Sequence, residues 1–404
     1  MTMPPPTASS LPIAAREESP STRPASFVLA DPTGSLEGRG IRRVISDSVE
    51  AGLTGTASRA VQAEGQGILV GALPFDSRSP AHLVLPVEAR HSSRQLASSS
   101  DRRHTADAPW RITERPTRER YCAAVTEALA RLTSADDARP GSLTKVVLAR
   151  TLELEAPAPI DPVAVFRRLL ADRSATAFCV PLAPRADGLA RTFVGATPEL
   201  LLERRGTAVT SLPMAGSSPR QADPGADQDA ARLLAASAKD QHEHRIVVEH
   251  VLDCLAPHCR RLNAPRTPVL TSTSTMWHLA TPVEGELKRD ISSLELAVAL
   301  HPTPAVCGSP GNEARQLIEQ LEPFDRGYFA GAVGWCDSSG DGRWMVAIRC
   351  AEIAGTLARL YAGAGIVAES DPESEAAETS AKFRTLLRAL GVDEHGQPAA
   401  RVEQ

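Results

Sequence analysis

The order of strand-like and helix-like segments constrains the fold of this chain more than any other feature of its sequence. Short runs of β-branched and apolar residues, bounded by Gly, Pro and Asp, are typical of strands. These runs are SFVLAD, GILVGALPF, AHLVLPV, TKVVLARTLELE, FVGATPELLLERRG, AVTSLPMAG, PVLTSTSTMWHLATPVEGEL, GYFAGAVGWCD, RWMVAIRCAEI and LARLYAGAGIVA. Helical patterns separate only some of them, which disfavours the regular strand–helix alternation of a parallel sheet. We therefore predict an α/β (α+β) chain whose sheet is mostly antiparallel.

Apolar residues at helical spacing mark the other segments. They predict helices over residues 117–134, 161–173, 226–262, 292–300, 311–321 and 373–390. No internal repeat or linker interrupts residues 26–392, so we predict one large domain there. Residues 1–25 are rich in Pro, Ser and Thr without apolar periodicity, which predicts a disordered tail. Residues 393–404 are predicted to form a C-terminal tail.

Bulk composition disfavours several classes of partner. The chain of 404 residues carries a formal net charge of −5, which gives it no general attraction to nucleic acid or to anionic membranes. The basic stretch 93–119 could form a nucleic-acid-binding arm, but we favour a solvated connection. Seven scattered cysteines without a CxxC pair favour reduced thiols in a cytoplasmic protein. No apolar run approaches the roughly 20 residues that span a bilayer, and no signal peptide is evident.

Two helical segments carry acidic pairs on faces that otherwise carry apolar residues. At a helical turn of 100° per residue, the stripe on the first consists of Asp240, Glu243, Val247, Val251 and Cys254. The stripe on the second consists of Glu375, Glu378, Lys382, Leu386 and Ala389. Four bare carboxylates would be very costly to bury. Either a hard cation such as Mg²⁺ neutralises them, or both pairs lie at solvated or Arg-paired rims; periodicity alone leaves both interpretations open.

Two further motifs carry weaker signals. Gly363-x-Gly365 could let backbone N–H groups approach an anion, but this spacing is not a dinucleotide fingerprint and also fits a plain turn. The HEH sequence at 242–244 does not indicate a zinc site. It lacks the HExxH spacing, and neighbouring helix positions face different ways.

A series of motifs in fixed order resembles a known enzyme family. The motifs are KVVLAR (145–150), GATPELLLER (195–204), LPMAGSSPR (212–220), KDQHEH (239–244), WHLATPVEGEL (277–287), LHPTPAVCGSP (300–310), FDRGYFAGAVGWCD (324–337), MVAIRCAE (345–352) and YAGAGIVAESDPESEAAETSAK (361–382). Together they are similar to the chorismate-utilising enzymes, which include isochorismate, salicylate, anthranilate and aminodeoxychorismate synthases. The resemblance covers residues 26–392. It implies a single large domain built on a mostly antiparallel β-sandwich flanked by helices, as in anthranilate synthase component I.

The resemblance also implies a Mg²⁺ site and a substrate pocket. Glu243 and Glu378 would bind Mg²⁺, and Asp240 and Glu375 would hold metal-bound waters or support the ligands. The implied substrate contacts are Gly216, Ser217, His278, Thr303, Arg349, Gly363, Gly365 and Lys382. Of these, Arg349 would bind the pyruvyl carboxylate, and Lys382 with the glycine backbone would hold the ring carboxylate.

The branches of this family differ at a few positions, and chemistry explains the differences. Water needs a general base, and the water-using branches carry a lysine where the ammonia-using ones usually carry glutamine; here it is Lys145. A lysine becomes a base only where its pKa is lowered, which burial can do. Glu199 matches the general acid, which desolvation would keep protonated. Ala215 stands where aminodeoxychorismate synthases often carry a nucleophilic lysine. Ser218 and Cys307 replace a usual arginine and a common glycine, with effects that the sequence leaves open.

These residues favour isochorismate synthase among the members of the family. The reaction would be a Mg²⁺-dependent conversion of chorismate into isochorismate by water attack at C2 with loss of the 4-hydroxyl, for 2,3-dihydroxybenzoate or a catechol siderophore. Salicylate synthase is the alternative, but that branch carries a tyrosine where this chain has Phe329. A non-catalytic chorismate-binding subunit is disfavoured by the intact acid, base and metal positions. We expect a monomer without a glutamine amidotransferase subunit, and the consuming pathway, including menaquinone supply, remains open.

Overall fold

The structure is a computed structural model that describes residues 25–65, 67–97, 108–133 and 142–399. The predicted N-terminal tail, 1–25, lies outside the described residues except for Ala25, which begins the first strand. The predicted C-terminal tail is described only as far as residue 399, and there Gly396 accepts a backbone hydrogen bond of 2.8 Å from Trp110.

The first sheet contains ten strands. Numbered in chain order along the whole chain, they are β1 (Ala25–Asp31), β2 (Gly34–Arg39), β6 (Glu88–Ser92), β7 (Arg111–Arg115), β8 (Lys145–Glu155), β9 (Thr176–Leu182), β10 (Arg191–Thr197), β18 (Gly308–Ser309), β21 (Cys350–Ala354) and β22 (Leu357–Ile366). Their order is β18-β8-β22-β21-β10-β9-β1-β2-β6, and β7 also pairs with β8. All of these pairings are antiparallel, as predicted.

Two more antiparallel sheets complete the β structure. The second large sheet has the order β14-β17-β12-β11-β20-β19-β4-β5-β3, and the small sheet has the order β13-β16-β15. The strands of the second sheet are β3 (Arg43–Ile45), β4 (Ile68–Leu73), β5 (His82–Leu85), β11 (Leu200–Arg205), β12 (Ala208–Leu212), β14 (Cys259–Asn263), β17 (Val283–Leu287), β19 (Ala332–Asp337) and β20 (Gly342–Val346). Those of the small sheet are β13 (Met214–Pro219), β15 (Val269–Ser272) and β16 (Met276–Ala280).

Helices flank the sheets, and the apolar core has two layers. The helices of the described ranges are α1 (Leu53–Ala63), α2 (Arg118–Leu132), α3 (Pro162–Leu169), α4 (Pro224–Ala236), α5 (Ala238–Leu255), α6 (Ser293–Leu300), α7 (Gly311–Leu321) and α8 (Pro372–Leu390). One core cluster joins the two large sheets, with Phe178 of the first and Trp344 of the second fully buried in it. The other packs α3 and α8 on the outer face of the first sheet. None of these helices is long and apolar enough to cross a membrane.

The prediction of one long helix over 226–262 is wrong. The chain leaves helical geometry at Ser237, which ends α4 and caps α5 by accepting a hydrogen bond of 3.2 Å from the backbone N–H of Asp240. Serine favours such capping positions because its hydroxyl replaces a missing intrahelical partner. Pro257 then cannot continue α5, and the chain enters β14. The helices predicted near 117–134, 292–300, 311–321 and 373–390 are confirmed.

The basic stretch 93–119 contains an element that the sequence did not predict. Its residues 98–107 lie outside the described ranges, but strand β7 pairs with β8 over five residues. Arg111 forms an ion pair with Glu155, and Arg115 lies 3.0 Å from Glu153. The described arginines of this strand therefore pair with the chain's own acidic residues, and the interpretation of this stretch as a connection stays a prediction.

Candidate functional site

A cavity that opens to solvent, with about 710 Å³ of empty space including its open mouth, is lined by most of the predicted site residues. Its walls come from β8 and β22 of the first sheet, the small sheet, helices α5 and α8, and connecting segments of the chain. The residues that line it are Val147, Pro198, Glu199, Met214, Ala215, Gly216, Ser217, Glu243, His278, Ala305, Val306, Phe329, Ala330, Ile348, Arg349, Tyr361, Ala362, Gly363, Gly365, Glu378 and Lys382. Ten of the fourteen residues predicted from the sequence are among them.

Two chain crossings between the large sheets carry Glu199 and Arg349. Glu199 lies in the connection from β10 to β11, and Arg349 lies in the connection from β20 to β21. Each crossing is hydrogen-bonded to the strand that precedes the other crossing. Val346 of β20 donates to the Glu199 carbonyl at 3.0 Å, and Ala196 of β10 donates to the Arg349 carbonyl at 3.1 Å. Arg349 has a φ of 50°, an uncommon left-handed conformation for a residue with a side chain. Strain of this kind persists where the surrounding structure enforces it, and it is common at functional sites.

The environment of Glu199 suits a proton donor near neutral pH. The residue is only 3% exposed, and burial raises the pKa of its carboxyl to about 7 although the Met214 N–H and the Lys145 charge oppose the shift. Its Oε1 accepts a long hydrogen bond of 3.4 Å from Met214. Since a general acid works best when its pKa is near the working pH, this carboxyl can both hold and release a proton under ordinary conditions.

Arg349 places a buried positive charge at the cavity. It is 5% exposed, and burial lowers the pKa of its guanidinium to about 10. Within the described ranges no carboxylate forms an ion pair with it, and its nearest polar side-chain partner is His278, whose Nε2 lies 3.4 Å from Nη2. Burial and the Arg349 charge hold the pKa of His278 well below its usual value, so the ring is neutral. A buried cation without an acid partner is a ready binding site for an anionic ligand.

Lys145, at the start of β8, and Glu243, on α5, form a buried contact at one wall of the cavity. The Nζ of Lys145 lies 2.9 Å from Oε1 of Glu243, and the lysine side chain is fully buried. The approach is off-axis, so the ammonium makes no directional hydrogen bond. A Cβ atom at Gly365 would lie 2.1 Å from the same Glu243 oxygen and 2.9 Å from Lys145 Cε. A side chain at position 365 would therefore have to displace both of these groups.

Helix α8 brings Glu378 and its lysine partner, Lys382, to the same wall. Oε1 of Glu378 lies 2.6 Å from Lys382 Nζ and accepts a hydrogen bond of 2.8 Å from the Ser217 hydroxyl. Burial raises the pKa of Glu378, but the Lys382 charge and these hydrogen bonds outweigh it, so the net shift is downward. Lys382 also donates to the Gly363 carbonyl at 2.8 Å. The Ser217 hydroxyl thus bonds a carboxylate, and its contact with a substrate stays a prediction.

Asp240 and Glu375 lie behind the lining residues. Glu375 is 1% exposed and pairs with Lys239 at 2.5 Å, while burial and the neighbouring Glu378 raise its pKa. Burial, followed by the charges of Glu243 and Glu378, also raises the pKa of Asp240. A Cβ atom at Gly216 would lie 2.9 Å from the Asp240 Cβ. The charges of Glu243 and Glu378 therefore act on Asp240, and the charge of Glu378 also acts on Glu375.

The donor chemistry of this wall fits Mg²⁺. No three His, Cys, Asp or Glu side chains of the described residues lie close enough together to hold an ion by themselves. Mg²⁺, however, usually takes one or two protein carboxylates directly and completes its shell with water and substrate oxygens. Two acidic side chains of this wall, Glu243 and Glu378, line the cavity, and Asp240 and Glu375 lie behind them. Glu243 and Glu375 are buried and Asp240 and Glu378 are half-buried, which disfavours solvated rims; a cation bound at this wall stays a prediction.

Four predicted residues do not line the cavity, and several lining residues were not predicted. The four are Lys145, Asp240, Glu375 and Thr303; the Thr303 hydroxyl is buried without a hydrogen-bond partner. Tyr361 lines the cavity and stacks on Phe329 with ring centroids 5.0 Å apart. Lys239, the partner of Glu375, was also missed, although it immediately precedes the predicted Asp240 on the same helix.

Comparison with known proteins agrees with this geometry. Residues 60–391 match the sequence profile of the family described as chorismate binding enzyme. Isochorismate synthase DhbC of Bacillus subtilis (strain 168) is 44% identical over 383 residues, covering 92% of this chain and 95% of the relative. Isochorismate synthase EntC of Escherichia coli (strain K12) is 42% identical over 344 residues, covering 83% and 85%.

Solved structures show the same fold. The crystal structure of DhbC from Bacillus anthracis superposes with a TM-score of 0.85 at 42% identity, covering 91% of this chain and 97% of that one. Anthranilate synthase component I of Streptococcus pneumoniae shares the fold at 18% identity, with a TM-score of 0.69 over 93% and 95% of the two chains. The predicted α/β class and the predicted resemblance are confirmed, and the chain belongs to the chorismate-binding enzyme family.

Proposed function

We propose that this protein is an isochorismate synthase that converts chorismate into isochorismate. The single observation that carries the proposal is the carboxyl of Glu199, of pKa about 7, in the cavity wall, with the fully buried Lys145 close enough behind that wall for the lysine charge to act on that pKa. The relatives named isochorismate synthase cover nearly the whole chain, which supports the same reaction here. Such a pair fits a displacement that needs both a base and an acid.

The chemistry balances as an isomerisation. Lys145 takes a proton from a water molecule, whose oxygen attacks C2 of the ring while both ring double bonds shift by one position and the C4–O bond breaks. Glu199 donates a proton to the departing 4-hydroxyl, which leaves as water. One water enters and one leaves, so substrate and product are isomers. The unpaired guanidinium of Arg349 would bind the pyruvyl carboxylate, and Lys382 would orient the ring carboxylate beside Gly363.

Mg²⁺ is the cofactor that we propose for this reaction. Glu243 and Glu378 would hold it, with Asp240 and Glu375 as supports for its water ligands. The ion would neutralise these carboxylates and allow an anionic substrate to bind beside them. The protein side chains provide the orientation and the proton transfers.

Removal of the metal site should abolish activity without unfolding the protein. We expect Glu378→Ala to be inactive at any Mg²⁺ concentration and to lose the rise in unfolding temperature that Mg²⁺ gives the wild type, because ligand binding stabilises only a state that binds it. Glu373→Ala on the same helix is the matched control, since its side chain is 71% exposed and pairs with Arg118. Full activity of Glu378→Ala in excess EDTA would remove this residue from the metal site.

Product analysis tests the reaction itself. Purified protein, chorismate and Mg²⁺ should give isochorismate reversibly and without stoichiometric pyruvate, because Phe329 stands where the salicylate branch has tyrosine. Pyruvate and salicylate in equal amounts would assign the protein to salicylate synthase. Chorismate binding without turnover would assign it to a non-catalytic subunit.

The proposal includes a cellular setting. We propose a cytoplasmic monomer that needs no glutamine amidotransferase subunit, because water and not ammonia is the nucleophile. The kinship with DhbC and EntC supports supply of isochorismate to 2,3-dihydroxybenzoate and catechol siderophores.

A further inference from the structure

The edge of strand β8 that faces away from β22 is covered by other strands only at its two ends. Strand β18 pairs with Lys145 and Val146, and β7 pairs with residues 151–155. Among the described residues, no strand pairs with this edge at residues 147–150. Backbone N–H and C=O groups that are left unpaired in a buried sheet need other partners. Strand β8 begins with Lys145, the proposed base.

One backbone carbonyl and two side chains fill this gap. The Cys307 carbonyl accepts a hydrogen bond of 2.8 Å from the Val147 N–H. Glu322 Oε1 accepts a hydrogen bond of 2.7 Å from the Ala149 N–H, and Arg326 Nη2 donates one of 2.7 Å to the Val147 carbonyl. The two side chains are 3% and 2% exposed and are joined by two hydrogen bonds, Nε to Oε2 at 2.8 Å and Nη2 to Oε1 at 2.5 Å. The pair therefore takes the place of a strand partner along the middle of β8.

Arg326 also fastens the opposite piece of the cavity wall. Its Nη1 donates a hydrogen bond of 2.7 Å to the Val306 carbonyl, and its guanidinium lies 5.8 Å from the ring centroid of Phe329. Val147, Val306 and Phe329 all line the cavity, whereas Arg326 and Glu322 do not. One buried guanidinium thus holds three lining residues from behind.

We propose that Arg326, paired with Glu322, is a positioning residue that fixes β8 and the wall segment 305–306. It thereby aligns Lys145 to take a proton from the water that attacks the substrate. This inference rests on the proposed function. A planar guanidinium can bond a carboxylate and two carbonyls at fixed angles, which a lysine ammonium cannot reproduce. A buried ion pair is costly to desolvate and adds little stability as such, so a role in geometry accounts for its presence better than a role in stability.

The test compares Arg326→Lys with a matched control, Arg204→Lys. Arg204 is also a buried arginine that bonds two backbone carbonyls, those of Gly206 and Ile291, and one carboxylate, Asp290, but none of these partners lines the cavity. Both variants should lower the unfolding temperature. Only Arg326→Lys should lower kcat, by about 10²-fold for a misplacement near 1 Å, with a smaller change in KM.

Hydrogen–deuterium exchange supplies a readout that does not depend on the reaction. In Arg326→Lys, amide exchange should quicken in residues 145–150 and 303–307 and stay at the wild-type rate in the other strands of the first sheet. Wild-type kcat in a folded Arg326→Lys, or exchange that is unchanged or quickened uniformly, would overturn the proposal. If Arg326→Lys does not fold, the neutral double variant Glu322→Gln/Arg326→Gln, which retains amide donors and acceptors, is measured against the same outcomes.

The two proposals fail in different ways. A wild-type protein that yields no isochorismate contradicts the proposed function, and the exchange comparison between Arg326→Lys and Arg204→Lys then decides the positioning role alone. A wild-type protein that is active, with an Arg326→Lys variant equal to it, contradicts only the positioning role.

Discussion

Lys145→Gln should lose about 10²–10⁴-fold in kcat with chorismate and water, the range usual for a general base, while KM stays near the wild-type value. The base acts in the transition state and contributes little to ground-state binding, so the loss should fall on kcat. Glutamine has nearly the length of the lysine and can hydrogen-bond Glu243, but it cannot accept a proton. Steady-state kinetics, with circular dichroism to verify folding, measure the effect.

Ammonium provides the control for this assignment. Ammonia is a nucleophile without prior deprotonation, so added ammonium should restore turnover of Lys145→Gln and give a product aminated at C2. No such gain is expected for Glu199→Gln, in which the proton donor is missing. Near-wild-type turnover of Lys145→Gln with water would instead show that another group is the base.

Glu199→Gln should lose a similar factor of about 10²–10⁴ in kcat, because an amide keeps the shape of the carboxyl but cannot deliver a proton. In the wild type, burial raises the pKa of this carboxyl to about 7, so kcat/KM should fall as the pH rises above about 7 and the acid ionises. That decline should be absent in the residual activity of Glu199→Gln. A pH profile of the two proteins measures the difference, and an unchanged decline would assign it to another group.

The same pKa has a consequence for stability. The folded-state pKa lies above that of an exposed glutamate, so the folded protein holds a proton that the unfolded chain releases between about pH 4.5 and 7. The wild type therefore loses stability as the pH rises through this window. Glu199→Gln should be more stable than the wild type at pH 8, by up to about 3 kcal/mol, and the gain should vanish at pH 4. Thermal unfolding at both pH values tests this independently of activity.

Local sequence patterns predicted the elements whose boundaries are set by local chemistry. Helix α6 begins with a capping box in which Ser292 and Glu295 bond each other's backbone, and α8 begins with a capping aspartate and a proline; both signals can be read from the chain alone. Helix α1 was missed because Thr54, Gly55 and Thr56 have poor helix propensity. It forms because its Leu53 and Val61 are buried in the core, which no local pattern reports.

The same distinction explains the segment AVTSLPMAG, which was predicted as one strand. Pro213 lacks an N–H group and interrupts the ladder, so β12 stays in the second large sheet and β13 enters the small one. This switch brings Gly216 and Ser217 against α5 and α8. A period-two pattern fixes which residues share a face, but it does not select the sheet that the strand joins.

For this protein the sequence by itself determined the family, the antiparallel class and the residue types of the site, since ordered motifs and the periodic acidic stripes on two helices are local properties. Only the tertiary structure decided which of those residues are desolvated and what lies beside them. The pKa of Glu199, the unpaired charge of Arg349 and the Glu322–Arg326 bridge behind β8 all depend on burial among segments distant in the chain. Electrostatic energies change most steeply with burial, and burial is the quantity that a single sequence reports least.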